Sequence, residues 1–267
     1  MKIRSSRTIA VLSAIVSVFT LTVCGVFNIF PVSEDQKLGK QFDQEIRADS
    51  KQYPVLNDAV ARSYVQSIVN KIVSAPSIKY RGTFSYQVEI INDDNTVNAF
   101  CTPGGYIYVY TGLIKMLDNE ASLAGVLGHE IAHAERRHST SRMTTQLGLQ
   151  TVTDIALGRN TNSTIALAAN MFTGLGLLKN SRSDETEADE YSFTYLRSTP
   201  WYPGAIIYFF EKVKGRGGSS IERLLSTHPL PQDRIDATNA RLKSANIAPP
   251  TEAQLNARGY ADFKKNL

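Results

Sequence analysis

Of the chain's four histidines, three fall in one run, His129-Glu130-Ile131-Ala132-His133 and the following Ala134-Glu135-Arg136-Arg137-His138, and the fourth is His228. This HExxH pattern constrains the fold more tightly than any other stretch. On a helix, residues four apart stand on one face a single turn apart, where His129 and His133 can turn ring nitrogens to one cation with Glu130 beside them. Leu123, Val126, Leu127, Ile131 and Ala134 recur at helical spacing, Asp118 and Asn119 are good N-caps, and Glu120 suits a first turn. A largely buried helix over about 119–138 follows. Two histidines and a glutamate inside it have to be satisfied, by a metal or, in the blander alternative, as a structural histidine pair.

A catalytic zinc takes three protein ligands and keeps one position open for water. The metzincin pattern would supply a third histidine after a glycine, but here His138 falls one residue early and Arg136 stands at the glycine's place. The other source is a glutamate on a second helix, and Ser181-Arg182-Ser183-Asp184-Glu185-Thr186-Glu187-Ala188-Asp189-Glu190-Tyr191 offers one. With Asp184 or Ser183 as cap, Glu185, Ala188 and Asp189 share a face. Glu185 can then bind the metal, Ala188 lets the helices approach, and Asp189 can accept a hydrogen bond from the far nitrogen of His129, fixing its tautomer. Glu187 points away, about 200° round the helix. A solvated acidic helix start is the alternative.

With these partners the chain resembles the gluzincin metallopeptidases related to the CAAX prenyl endopeptidase, HtpX, the mitochondrial Oma-type proteases and the bacterial LoiP and BepA proteases. The similarity is carried by Asp35-Gln36-Lys37-Leu38-Gly39-Lys40, Val97-Asn98-Ala99-Phe100, Pro103-Gly104-Gly105-Tyr106-Ile107, HExxH, Glu185-x-x-Ala188-Asp189, and Thr227-His228-Pro229 with Asp233-Arg234. It implies an α+β fold of the minigluzincin type, mostly helical with a small mixed sheet, and endopeptidase activity. It also implies one zinc held by His129, His133 and Glu185, with Glu130 catalytic. The chain departs from membrane-embedded members in lacking long internal apolar spans, and from BepA-like members in ending at Leu267 without helical repeats.

The first stretch reads as a targeting segment. Lys2, Arg4 and Arg7 precede an apolar run over 9–23, and Leu21-Thr22-Val23-Cys24 resembles a lipobox, although Val23 is bulky for its place. The expected organisation is a lipoprotein signal peptide or N-terminal anchor over 1–23, a tether over 24–34 and the peptidase domain over 35–267. Either leader tethers the domain to a membrane, through acylated Cys24 or an uncleaved apolar helix, facing the periplasm of a bacterial envelope. One further cysteine, Cys101, excludes a disulfide scaffold. The net charge of +4 has no long basic run, which argues against nucleic acid as a partner.

Helical periodicity covers 33–50 and 56–75, strands are expected over 82–91 and 106–110, and further helices over 205–214 and 231–245. A Thr-, Ala- and Gly-rich pair of helices is expected over 139–180, too interrupted to span a bilayer. Asn98 and Ala99 lie on a predicted edge strand, where a peptide can add as a further strand; alternatively, Asn98 merely closes the preceding turn.

In the expected chemistry zinc lowers the pKa of its water to about 7, and Glu130 takes the proton and returns it to the leaving amine. Pro229 disfavours helix at His228, which suits a loop histidine over the open position, with Arg234 as its orienter. His228 has three readings: oxyanion donor, fourth ligand of a latent enzyme, or structural loop residue. The substrates are polypeptides, in particular unfolded or damaged envelope proteins. The rival from another class is a membrane-tethered chaperone or assembly factor with a structural zinc.

Overall fold

The computed structural model describes residues 28–146, 179–214, 218–228 and 233–267. The leader, Cys24, Pro229 and most of the 139–180 segment lie outside these residues. The elements are α1 Val32–Ala48, α2 Ala59–Val73, β1 Val88–Ile91, β2 Ala99–Cys101, β3 Ile107–Tyr110, α3 Thr111–Met116, α4 Glu120–Glu135, α5 His138–Gln146, α6 Arg182–Leu196, α7 Ile206–Val213, α8 Ser219–Thr227, α9 Asp233–Ser244, α10 Glu252–Leu255 and α11 Ala257–Lys264. This is the expected mostly helical α+β arrangement. No helix among the described residues is long and apolar enough to cross a membrane.

The sheet is mixed, in the order β1-β3-β2, with β1 parallel and β2 antiparallel to β3. Both faces are covered, so its strands read as apolar runs. Val88, Ile90, Ala99, Ile107 and Val109 join the main core with α2 and α4. On the other face Ile91, Phe100, Tyr108 and Tyr110 pack with Ile46 of α1. Along β2 the carbonyl of Asn98 accepts from Tyr110 and the amide of Thr102 donates to Tyr106. In an antiparallel pair the intervening residues then turn their backbone groups away from the partner, so Ala99 and Cys101 face the outer edge.

The strand expected over 82–91 is real only from Val88. Tyr86 has φ 45°, which breaks extended backbone, and the Glu135 carboxylate accepts from the Lys79 and Tyr80 amides and from the Tyr86 hydroxyl. Those bonds tie the α2–β1 connection to the end of α4 in place of a ladder.

The core is organised on α4. Asn119 caps it, accepting from the Ser122 amide at 2.9 Å, and every residue of the helix is buried. The helix stops at Glu135, short of the expected 138, because Arg137 turns left-handed at φ 56° and His138 opens α5. Helix α6 crosses α4 closely: a Cβ on Gly128 would lie 2.7 Å from Ser192 Oγ, and that hydroxyl donates to the Gly125 carbonyl at 3.1 Å. The cap of α6 is Ser181, in a capping box with Asp184 at its third position, so neither Asp184 nor Ser183 caps it. The face carrying Glu185, Ala188 and Asp189 is unaffected, and all three are buried.

Candidate metal centre

His129, Glu130 and His133 stand on α4, Glu185 and Asp189 on α6, Arg234 on α9, and His228 at the C-cap of α8. All seven side chains are buried. One ligand atom from each of His129, His133, Glu185 and His228 lies within 4.8 Å of the others. The Nε2 atoms of His129 and His133 are 3.0 Å apart. Each is 3.3 Å from an oxygen of Glu185, and His228 Nδ1 is 3.0 Å from Glu185 Oε1.

Three features show that these residues fit a metal. Zinc bonds of about 2.0–2.2 Å set tetrahedral ligand atoms about 3.3–3.6 Å apart, close to the separations here. Asp189 Oδ1 lies 2.9 Å from His129 Nδ1, and a carboxylate only accepts, so His129 carries its proton on Nδ1 and offers Nε2 to the cluster. The charges also balance: ionised Glu130, Glu185 and Asp189 set three negative charges against the single positive charge of Arg234, and a divalent cation closes the difference.

A proton can stand in the same place. Although burial opposes its charge, the Glu185 and Asp189 carboxylates hold His129 up at about 9. Burial and the charge on His129 push His133 well below the usual histidine range. Glu185 is held well below the carboxylate range: burial opposes this, and His228 and His129 outweigh it. Glu130 moves the other way. Burial raises it despite His228, His129 and the Cys101 amide, which donates to its carboxylate.

Arg234, expected to orient His228, gives its guanidinium to the carboxylates. It donates to both oxygens of Asp189 at 2.7 and 2.6 Å and to Glu185 Oε2 at 2.6 Å, and it lies over the Phe210 ring. His228 ends a helix in extended backbone, with its Nε2 3.7 Å from Glu130 Oε1. Glu187 lies off the cluster as expected, paired with Arg136 and His138. Ala99 lines a cleft with His129, Glu130, His228 and Arg234. Asn98 is fully buried, and neither polar atom of its side chain is hydrogen-bonded among the described residues.

A profile of peptidase family M48 matches residues 60–242. The chain belongs to peptidase family M48. Among proteins it resembles are the beta-barrel assembly-enhancing protease of Escherichia coli (strain K12), 30% identical over 221 residues, 78% of this chain and 44% of that protein. The mitochondrial metalloendopeptidase OMA1 of Arabidopsis thaliana is 30% identical over 197 residues, 73% of this chain and 35% of that protein. OMA1 of Saccharomyces cerevisiae is 29% identical over 200 residues, 68% and 56%. The chain spans less than half the length of the bacterial relatives.

Two residues of this M48 site were not predicted as part of it. Asn180 is buried, its backbone amide donates to the Thr227 carbonyl at 3.0 Å, and its side-chain nitrogen lies 3.3 Å from His133 Nε2 and 3.2 Å from His228 Nδ1. It precedes the Ser181 cap and has no motif of its own. His138 touches His133 and was visible only as a misplaced third ligand.

Proposed function

We propose that the chain is a zinc-dependent endopeptidase acting on polypeptides bound in extended form along β2. The observation that carries this reading is the convergence of His129, His133 and Glu185 with the buried carboxylate of Glu130 beside them. Bound there, zinc would polarise a scissile carbonyl and bring the pKa of a coordinated water to about 7.

Glu130 is suited to moving the proton. Burial lifts its carboxyl above the usual range, and the Cys101 amide fixes it against β2, so it can take a proton from water and pass it to the leaving amine. His228 shares the cleft with Glu130 and is assigned as donor to the developing oxyanion. A second reading, fourth ligand of a latent enzyme, is favoured by its Nδ1 lying within the ligand group. Ala99 offers backbone N–H and C=O on the outer edge, a docking line for one further strand.

The bacterial relatives are named for enhancing β-barrel assembly, which favours unfolded or misassembled β-rich envelope polypeptides as substrates. The leader supports a periplasm-facing domain tethered to a membrane. The test is proteolysis of an outer-membrane β-barrel protein presented unfolded and folded, with zinc and after chelation. Zinc-dependent cleavage of the unfolded form alone is expected; binding of that form without cleavage would favour the chaperone reading.

A further inference from the structure

His138 and Glu187 take no part in the chemistry above, yet they are joined to it. Helix α4 ends at Glu135, and the left-handed turn at Arg137 is held by Asp35, whose carboxylate accepts from Arg137 Nε at 2.9 Å. That turn brings His138, the first residue of α5, back against His133, with ring centroids 4.9 Å apart. His138 Nδ1 lies 2.8 Å from His133 Nδ1, and His138 Nε2 lies 2.8 Å from Glu187 Oε2. Glu187 in turn accepts from Arg136 Nε at 2.9 Å, and the guanidinium rests 4.5 Å above the Tyr191 ring.

The proton positions follow from the end of this chain. A carboxylate paired with arginine only accepts, so His138 carries its proton on Nε2. Neutral imidazole then presents a lone pair at Nδ1, and the donor facing it is the Nδ1–H of His133. His133 is thereby left with its lone pair at Nε2, the atom 3.0 Å from His129 Nε2 and 3.3 Å from Glu185 Oε1.

We propose that His138 and Glu187 are positioning residues that fix the tautomer and ring orientation of His133 as a metal ligand. They do through an intervening imidazole what Asp189 does directly for His129, and the pair runs from the metal cluster to a side chain 32% exposed at the surface. The proposal rests on the reading of His133 as a ligand.

The experiment uses the full chain and measures zinc affinity by competition with a chromophoric chelator, together with the visible absorption spectrum of the cobalt-substituted protein. His138→Ala should bind zinc about 10- to 100-fold more weakly and alter the cobalt spectrum. His138→Gln should recover most of that loss, because its amide oxygen can accept from His133 while its nitrogen donates to Glu187. Glu187→Gln should fall between the wild type and His138→Ala.

Unchanged affinity in His138→Ala, with zinc lost in His133→Ala, would overturn the positioning role and leave the ligand assignment standing. Zinc retained in His133→Ala would overturn the ligand assignment itself. Equal losses in His138→Ala and His138→Gln with an unaltered cobalt spectrum would mark a packing effect, also against the proposal. If His138→Ala fails to fold, Glu187→Gln decides: unchanged affinity and spectrum there contradict it.

Discussion

Arg234 and Asp189 govern how the buried charges of the cluster are held. Their bidentate pair aims one carboxylate oxygen at His129 Nδ1, so Asp189→Ala should weaken metal binding by about 10- to 100-fold, read as zinc affinity by chelator competition. The pH behaviour of the metal-free protein has a definite sign. His129, held up at about 9 in the fold against an ordinary 6.5, contributes stability that is complete below 6.5 and lost as pH rises through 9. The urea midpoint of metal-free protein should therefore fall across that window, and a midpoint that stays level or rises would contradict the assignment. For His228, removal of an oxyanion donor in His228→Ala should cost about 100- to 1,000-fold in turnover with zinc retained. A faster variant would instead identify a latent ligand, and an unchanged one a structural residue. HExxH made His129, His133 and Glu130 legible because their spacing is their chemistry. The contacts of Arg234 were not legible, because nothing local in Asp233-Arg234 records that α9 lies against α6.

At the scale of elements, the centre depends on how closely α6 approaches α4, and Gly128 sets that distance. Its replacement by alanine forces a Cβ to 2.7 Å from Ser192 Oγ, an overpacking cost of about 1–3 kcal/mol, partly offset by about 1 kcal/mol of helix propensity. Gly128→Ala should thus lower the unfolding free energy, whereas in a Ser192→Ala background, where the nearest remaining Ser192 atom is Cβ at 3.6 Å, the same change should be neutral or stabilising. A double-mutant cycle by urea denaturation measures this; additive effects would show that the clash does not set the helix separation. Helical register gives a second test: Glu185→Ala should lose metal altogether, and Glu187→Ala only in part. Periodicity revealed α4 and the ligand face of α6 because apolar and acidic residues recur at the helical repeat. It failed over 82–87, where alternation suggested a strand, because a left-handed Tyr86 and the carboxylate of Glu135, distant in sequence, claim that backbone.

At the scale of the whole molecule, we propose a leader over 1–23 and a tether over 24–34 that attach the peptidase domain to a membrane. If Cys24 is the acylated first residue of the mature chain, Cys24→Ala should leave a full-length protein that takes up no metabolic lipid label; label persisting in that variant, or an intact leader in the wild type, would favour an uncleaved anchor. The central claim is a catalytic zinc served by a general base, and Glu130→Gln separates it from a structural site because an amide cannot accept the proton. The decisive measurement is zinc content together with casein hydrolysis for the wild type and Glu130→Gln, side by side. The account predicts equal zinc in both proteins and hydrolysis reduced about 100- to 10,000-fold in the variant; a zinc-loaded Glu130→Gln protein as active as the wild type would contradict it.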